Sequence, residues 1–291
     1  MPLIPKATVY PGYKPQSSDT SIDADVLMFQ LLRQMTPLQK AERTRTFNFS
    51  VRRLAISGIR QQYKNANPIQ IKQEFIKRCL GSEWLDILYS YNLLGDLVIT
   101  DPLTLARKIA DILEPLNIPY VVGGSVASSL LGETRATQDL DLVIDISVSQ
   151  AEQLINAMLS EFYISESAVA EALEQKTSFN VIYLPSMEKA DIFVLPLDSF
   201  SRSKMNRRQL HVCGDDSEGS IYIYSAEDII LQKLRWYKQT RSESQKQWRD
   251  VLGVLKVQGE RLDFNYLHQW AETLMLVNLL AQALKQAGLS R

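Results

Sequence analysis

Two short apolar runs flank a glycine turn and a helical stretch between residues 120 and 146. The first run, residues 120–122, is Tyr-Val-Val, and aromatic and β-branched residues favour strands. Two glycines end it, and residues 125–131 then have helical patterning. The second run, residues 140–146, alternates apolar and polar side chains, which is typical of a strand with one buried face. Strand, turn, helix and strand in this order predict a domain that mixes both element types.

The second run carries a pair of acidic residues two positions apart. Side chains alternate between the faces of a strand, so Asp139 and Asp141 project from the face opposite Leu140 and Leu142. Two carboxylates this close repel each other, and folding alone does not reward the placement. A divalent cation relieves the repulsion, and Mg²⁺ prefers carboxylate oxygens together with substrate phosphates. The pair alone also fits a strand end that reaches solvent, so its interpretation depends on the residues upstream.

The turn upstream has the chemistry of a phosphate site. Gly123 and Gly124 let a phosphate approach the backbone, and a helix starting at Ser125 offers free N–H groups and a partial positive charge. No Gly-Lys-Ser/Thr follows, so this is not a Walker loop, and the GxGxxG spacing of dinucleotide sites is absent. A tight strand-to-helix turn would explain the same residues. The turn therefore gains its meaning from the acidic pair that follows it.

Together, the residues GGSVASSLLGETRATQDLDLVID resemble the polymerase-beta-like nucleotidyltransferase superfamily. They are most similar to its minimal nucleotidyltransferase and AbiEii-like toxin–antitoxin branches. The hallmark there is a strand, a Gly-Gly or Gly-Ser turn, a short helix, an Arg-x-Thr, and an Asp-x-Asp on the next strand. The resemblance covers residues 101–285 and implies an α+β fold with a mixed-sheet nucleotidyltransferase core. The residues that carry the hallmark are Gly123, Gly124, Ser125, Arg135, Thr137, Asp139 and Asp141.

The resemblance also implies roles for individual residues. A third carboxylate is implied at Asp191, which opens the apolar run 190–195. With Asp139 and Asp141 it would hold two Mg²⁺ ions, for which Mn²⁺ is a possible substitute. Asp250 matches an Arg-Asp pair of the AbiEii-like branch, either as a catalytic residue or as an ordinary helix partner. The implied nucleotide-binding residues are Gly123, Gly124, Ser125, Arg135, Thr137 and Lys233.

The chain as a whole divides into four predicted regions. These are a flexible arm at 1–20, a basic helical domain of unknown family at 21–95, the nucleotidyltransferase core at 96–224, and a helical subdomain at 225–291. The predicted fold class is thus α+β, with an all-α N-terminal region and a helical C-terminal extension. Within the first three regions, helices are predicted at 22–36, 38–63, 68–79, after Ser82, 102–116, 125–131, 149–159 and 167–175, and strands at 118–122, 140–146, 178–184, 190–195, 209–213 and 220–224.

The net charge of −1 conceals an uneven distribution of charge. Residues 33–78 contain eleven Lys and Arg against two acids, whereas residues 96–291 contain 19 basic and 26 acidic residues. A basic segment beside an acidic one is typical of nucleic-acid contact, of two halves that dock on each other, or of a solvated helix face. The stretch that includes Arg43, Arg45, Arg52 and Arg53 favours an RNA acceptor over a small molecule.

Several classes of protein are excluded. Cys79 and Cys213 are far apart, so neither a disulfide framework nor a zinc site is expected, and a reducing cytoplasm fits. No apolar run is long enough for a transmembrane helix, and the N-terminus lacks the pattern of a signal peptide. His211 and His268 lie near no nucleophile motif, which argues against a hydrolytic triad. We expect a cytoplasmic protein with no membrane partner, and nothing indicates DNA.

The sequence therefore predicts a Mg²⁺-dependent nucleotidyltransferase. It would transfer a nucleoside monophosphate from a nucleoside triphosphate to a hydroxyl of an RNA, such as tRNA, or of a protein, in a toxin–antitoxin setting. One alternative is a small-molecule transferase of the antibiotic-modifying kind. Another is a non-catalytic nucleotide- or RNA-binding module that kept the fold. The complete set of Asp139, Asp141 and Asp191 argues against the non-catalytic alternative, and the acceptor stays open.

Overall fold

The computed structural model describes residues 4–92, 97–137, 139–214, 219–240 and 243–289. Parts of the predicted arm (1–3) and of the predicted basic domain (93–95) lie outside them. Among the described residues, no helix has the length and apolar character that a membrane crossing needs. The helices are α1 (Ile22–Gln34), α2 (Pro37–Gln62), α3 (Pro68–Cys79), α4 (Leu85–Ser90), α5 (Pro102–Leu113), α6 (Gly124–Leu131), α7 (Ala151–Met158), α8 (Glu166–Gln175), α9 (Ser199–Asn206), α10 (Ala226–Gln239), α11 (Gln245–Gln258), α12 (Phe264–Thr273) and α13 (Val277–Ala287). The strands are β1 (Tyr120–Val122), β2 (Leu140–Ile144), β3 (Phe162–Ile164), β4 (Ser178–Tyr183), β5 (Glu188–Val194), β6 (Gln209–Val212) and β7 (Ser220–Ile223).

The strands of the described chain form one mixed sheet in the order β3-β4-β5-β2-β1-β7-β6. β2 runs parallel to β5 and antiparallel to β1, and β1 runs parallel to β7. The other neighbours are antiparallel. A mixed sheet accompanied by many helices confirms the predicted α+β class. The central position of β2 places its side chains between those of β5 and the turn that follows β1.

Local capping signals explain why several predicted helix starts agree with the structure. Asn67 caps α3 and exchanges hydrogen bonds with Gln70, while Pro68 occupies the first turn. Ser225 accepts a hydrogen bond from the N–H of Asp228 and so caps α10. These caps involve neighbours in the sequence only, so the sequence pattern is sufficient to predict them.

One hydrophobic core joins the sheet to the C-terminal helices. Leu140, Leu142 and Ile144 of β2 are fully buried and belong to the same cluster as residues of α5, α10, α11 and α13. Ala41 of α2 is also part of this cluster. The basic N-terminal helices therefore pack directly on the core. The domain boundaries at 95/96 and 224/225 stay predictions.

The described part of the predicted arm contacts the C-terminal helices. Asp25 of α1 is fully buried, and it accepts hydrogen bonds from the Tyr13 hydroxyl and from the Gln16 backbone N–H. Lys256 of α11 forms an ion pair with the same carboxylate at 2.7 Å. The buried charges compensate each other, and this contact joins residues 13–16, α1 and α11 into one packed unit.

Two predicted boundaries shift because a turn replaces regular structure. The helix predicted to reach residue 116 ends at Leu113, where Asn117 has a left-handed backbone and the Ile118 N–H bonds the Leu113 carbonyl. The strand predicted from 118 begins at Tyr120, the first residue of this run that pairs with β2. The helix predicted after Ser82 begins at Leu85, because residues 82–84 form a 3₁₀ turn with no side-chain cap.

Two elements were not predicted from the sequence. β3 is only three residues long, and it exists because it pairs with β4 at the edge of the sheet. α9 contains the polar run Ser-Arg-Ser-Lys, which hides its apolar positions, Phe200 and Met205. Both elements depend on contacts with distant parts of the chain, which a local pattern does not encode.

Candidate active site

The three predicted carboxylates come from two adjacent strands. The parallel register between β2 and β5 pairs Asp141 directly with Asp191. Asp139 precedes β2 by one residue and is exposed, whereas the Asp191 side chain is 21% exposed and forms an ion pair with Lys189 at 3.2 Å. Paired positions on neighbouring strands point to the same face. Asp141 and Asp191 are therefore side by side, with Asp139 at the rim.

The Asp141 carboxyl has a raised pKa. Burial is the largest cause, and the negative charges of Asp191 and Asp139 raise the pKa further. The positive charges of Lys233 and Lys246 act in the opposite direction but do not cancel the shift. The folded protein thus holds a half-buried carboxylate among like charges. The two lysines compensate the repulsion only in part, and a bound cation would compensate it further.

The glycine turn makes room for Asp141. Gly124 has a left-handed backbone with φ of 55°, and a Cβ at this position would lie 1.8 Å from Oδ2 of Asp141. The neighbouring Gly123 donates its N–H to the Asp141 carbonyl at 2.9 Å. Both the backbone conformation and the space at position 124 exclude other residues. The turn and the acidic strand therefore form one unit.

The N-terminus of α6 lies beside the glycine turn and Asp141. None of the described side chains caps this helix, and its N-cap is Gly123. The first N–H groups of a helix lack partners within the helix and carry a partial positive charge, so they suit a phosphate. Ser125 lies in the same first turn and is 9% exposed. The helix start therefore adds a possible anion site next to the carboxylates.

Replacing Gly124 by Ala is expected to remove activity and to destabilise the fold. The new Cβ must displace the Asp141 carboxylate, and the left-handed backbone costs Ala roughly 1–2 kcal/mol. Nucleotide-transfer rates and thermal unfolding measure the two effects. Gly58→Ala is the matched control, because a Cβ there meets nothing within 4 Å on α2. It should keep full activity and gain up to about 1 kcal/mol in helix stability. An active Gly124→Ala enzyme would contradict the proposed role of the turn.

A buried charge network lies behind the turn. Asp250 of α11 accepts hydrogen bonds from Nε and Nη2 of Arg135 at 2.7 and 2.9 Å, and from Nζ of Lys233 at 2.7 Å. Arg135 also donates to the Ser125 hydroxyl. Burial by itself would raise the pKa of Asp250, but the hydrogen bonds from Arg135 and the charge of Lys233 lower it below its usual value. One carboxylate thus positions two cations and, through Arg135, the start of α6.

Two of the predicted nucleotide-binding residues, Arg135 and Lys233, belong to this network. Lys233 is only 2% exposed, its ammonium is held by Asp250, and burial lowers its pKa. The positive charge of Lys233 still acts on Asp141. Arg135 is oriented by Asp250 and Ser125. Nucleotide contact by Lys233 and Arg135 stays a prediction, and the structure adds Asp250 as the group that positions both.

The N-terminal helices supply contacts that sequence reasoning did not find. Asn48 of α2 accepts the Thr137 N–H at 2.9 Å, and the Thr137 hydroxyl donates to the Asp139 carbonyl at 3.1 Å. Arg52, one turn further along α2, forms an ion pair with Glu188 at the start of β5. Asn48 is a polar residue in the buried stripe of its helix, which was the available signal for a specific partner. Helix α2 therefore supports both strands that carry the carboxylates.

The carboxylates fit a magnesium site that substrate completes. Within the described residues, no three Asp, Glu, His or Cys side chains already form a metal cage. Mg²⁺ is usually held by one or two carboxylates plus substrate phosphates, so a complete protein cage is not required. The paired Asp141 and Asp191, the charge repulsion at Asp141 and the uncapped helix α6 meet this requirement. Hard carboxylate oxygens also match the preference of Mg²⁺ or Mn²⁺.

Comparisons with known proteins find similarity in structure only. No family model and no curated protein sequence matches the chain. An antigenic nucleotidyltransferase-like protein from Paracoccidioides brasiliensis is similar at 17% identity and a TM-score of 0.43, over 65% of this chain and 94% of that one. ANT(2'')-Ia in complex with adenylyl-2''-tobramycin is similar at 16% identity and a TM-score of 0.39, over 61% and 95%. JHP933 from Helicobacter pylori is similar at 14% identity and a TM-score of 0.32, over 65% and 90%.

These likenesses concern the overall structure only, and the class of enzyme stays a prediction from the sequence motifs. The AbiEii-like branch and the toxin–antitoxin setting stay predictions. The function proposed below rests on the geometry of the site itself.

Proposed function

We propose that this protein is a Mg²⁺-dependent nucleotidyltransferase that transfers a nucleoside monophosphate to a hydroxyl of an RNA or protein acceptor. The observation that carries the proposal is the pairing of Asp141 with Asp191 next to the turn formed by Gly123 and Gly124. The turn provides space and backbone N–H groups for phosphates, and the carboxylates provide the cation ligands. Toxin–antitoxin membership is one setting in which such an enzyme would act.

The carboxylates and the residues at the start of α6 would have different roles. Asp139, Asp141 and Asp191 would hold one or two Mg²⁺ ions. When bound, these ions neutralise phosphate charge and assist both the attacking and the leaving oxygen. Gly124 and Ser125, at the start of α6, would receive the triphosphate, and the nearby positive charges of Lys233 and Arg135 would favour it.

The reaction is a single exchange at the α-phosphorus. A bond forms between the acceptor hydroxyl oxygen and the α-phosphorus, and the bond from that phosphorus to the oxygen of the β-phosphate breaks. Pyrophosphate leaves, and the hydroxyl proton is released to water. The pairing of carboxylates and phosphate turn supplies the binding and orientation that this exchange needs.

The experiment is a label-transfer assay. The purified chain is incubated with Mg²⁺, each of the four α-³²P nucleoside triphosphates and, in separate reactions, total tRNA, cell lysate protein or a panel of aminoglycosides. Transfer of label to RNA or protein is the expected result. Label on an aminoglycoside would favour the small-molecule alternative. Nucleotide binding that ignores Mg²⁺, without transfer to any acceptor, would favour a binding module and would overturn the proposal.

A further inference from the structure

Helices α2 and α3 form a groove on the side of the N-terminal region. It has a volume of about 850 Å³. Its floor is apolar and includes Ile56, Ile71 and Ile99, and its rim carries Arg53 and Arg60 from α2. The hydroxyls of two serines also line it. Among the residues that the structure describes, no acidic side chain lines the groove, although acids are as frequent as bases in the chain as a whole.

The basic residues of this rim are not neutralised within the described chain. Arg53 and Arg60 are exposed, and the structure places neither in an ion pair with a described carboxylate. Lys64, just beyond α2, is also exposed and forms no ion pair with a described carboxylate. Other basic residues of the same segment are used internally, for example Arg52 with Glu188. Some basic residues of this segment therefore form ion pairs inside the protein, whereas Arg53 and Arg60 form a cationic rim that no described carboxylate neutralises.

Exposed aromatic rings accompany these charges. Phe49 and Phe47 of α2 lie outside the groove lining and are 42% and 47% exposed, whereas Leu54 belongs to the lining and is 72% exposed. The Arg53 guanidinium lies over the Phe49 ring at 5.8 Å from its centroid. Exposed aromatics between arginines are typical of surfaces on which unpaired bases stack while their phosphates bind the cations. Fully paired duplex would leave the rings and the apolar floor uncovered.

The groove is connected to the carboxylates through helix α2. The buried side of the helix holds the segment before β2 through Asn48 and Thr137, and it holds the start of β5 through Arg52 and Glu188. Arg53 follows Arg52 directly on the helix. An RNA strand that binds along the exposed side of α2 would therefore contact the helix that supports Asp139 and Asp191.

We propose that the α2–α3 groove binds single-stranded RNA and presents it as the acceptor for nucleotidyl transfer. The assignment of the acceptor rests on the proposed function, whereas binding of RNA to the groove does not. Each RNA nucleotide offers phosphate for the arginines, a base for the phenylalanines and a hydroxyl for transfer. An acidic peptide would satisfy the charges but not the exposed rings, and it is an alternative outcome of the test.

The test is RNA binding measured by fluorescence anisotropy without nucleotide or Mg²⁺. A labelled single-stranded 12-nucleotide RNA is titrated with the full chain over a series of salt concentrations. Arg53→Gln/Arg60→Gln should weaken binding about tenfold or more at low salt, and it should reduce the slope of log K against log salt by about 1.4, from ~0.7 per lost phosphate contact. Lys238→Gln, on α10, is the control and should change neither value.

A second set of variants tests base stacking. Phe49→Leu keeps an apolar side chain but removes the ring, and it should weaken binding about tenfold, since a base would lose its stacking partner. Phe49→Tyr keeps the ring and should restore binding. Circular dichroism and thermal unfolding establish that each variant is folded. Equal losses of RNA affinity in Phe49→Leu and Phe49→Tyr would overturn the assignment of Phe49 as a stacking residue.

Several outcomes would overturn the proposal as a whole. These are no RNA binding at 50 mM salt, unchanged affinity in the double arginine variant, equal affinity for duplex RNA of the same sequence, or tighter binding of a poly-glutamate peptide. A failure of the proposed function is recognised separately. In that case the groove variants would still change RNA affinity, but no label would reach RNA in the wild-type reaction.

Discussion

Replacing Asp141 by Asn should reduce nucleotide transfer by about 10³-fold or more, since metal ions contribute several kcal/mol to such reactions. The same change should raise the melting temperature of the metal-free protein. Asp141 is a half-buried carboxylate next to Asp191 and Asp139, so an amide removes charge repulsion that the fold compensates only in part. Transfer rates and thermal unfolding with and without Mg²⁺ measure both effects. Mg²⁺ should stabilise the wild type and not the variant.

Asp145→Asn is the matched control for this prediction. Asp145 follows β2, and its carboxylate forms an ion pair with Arg202 at 2.6 Å. The substitution removes the same charge a short distance along the same segment, and the exposed pair contributes little to stability. Activity should therefore persist. A loss of activity equal to that of Asp141→Asn would show that general charge, and not the paired carboxylates, controls the reaction.

The raised pKa of Asp141 also gives a pH dependence. Because the pKa is higher in the folded protein than the ordinary value of 3.8, the folded state loses stability as pH rises through the folded pKa. The stability gained by Asp141→Asn should therefore be present at neutral pH and should disappear below about pH 3.8. Mg²⁺ binding has the opposite trend, because it requires the ionised carboxylate. Thermal unfolding from pH 3 to pH 8 separates these effects.

Replacing Asp250 by Asn should destabilise the protein by about 3–5 kcal/mol, the usual cost of leaving a buried charge without its partner. The Asp250 and Lys233 side chains are 3% and 2% exposed, and Arg135 depends on the same carboxylate. Urea unfolding measures the loss. Activity should also fall in the folded fraction, because Arg135 would no longer be held against Ser125.

Glu133→Gln is the control for this buried network. Glu133 is 16% exposed and pairs with Arg249, which is 48% exposed, and the amide of Gln can still accept the hydrogen bond from Gln16, so the substitution should cost about 1 kcal/mol, less than Asp250→Asn. Because the pKa of Asp250 is lowered on folding, its contribution is complete above the ordinary carboxyl range and is lost as pH falls through the folded pKa. A cost for Asp250→Asn no larger than that of Glu133→Gln would contradict the assignment of Asp250 as the shared partner.

Much of the local structure could be predicted from the chain alone. The start of α3 follows from Asn67-Pro68, and β2 follows from the alternation that begins at Leu140. The α+β class was predicted in the same way, and the structure confirms it. β3 could not be predicted, because three residues contain too little pattern and become a strand only by pairing with β4.

The candidate site shows the same division between local and tertiary information. The sequence by itself marked Gly124, Asp139 and Asp141 as candidate site residues, because the turn, the strand and the motif that they form are local features of the chain. Only the tertiary structure paired Asp191 with Asp141 and joined Lys233 to Asp250, since strand order and helix packing bring together residues that are far apart in the chain. Only the tertiary structure also distinguished Arg52, which pairs with Glu188, from the exposed Arg53 and Arg60 on α2. The reason is that an ion pair requires a carboxylate that the fold brings close to the arginine.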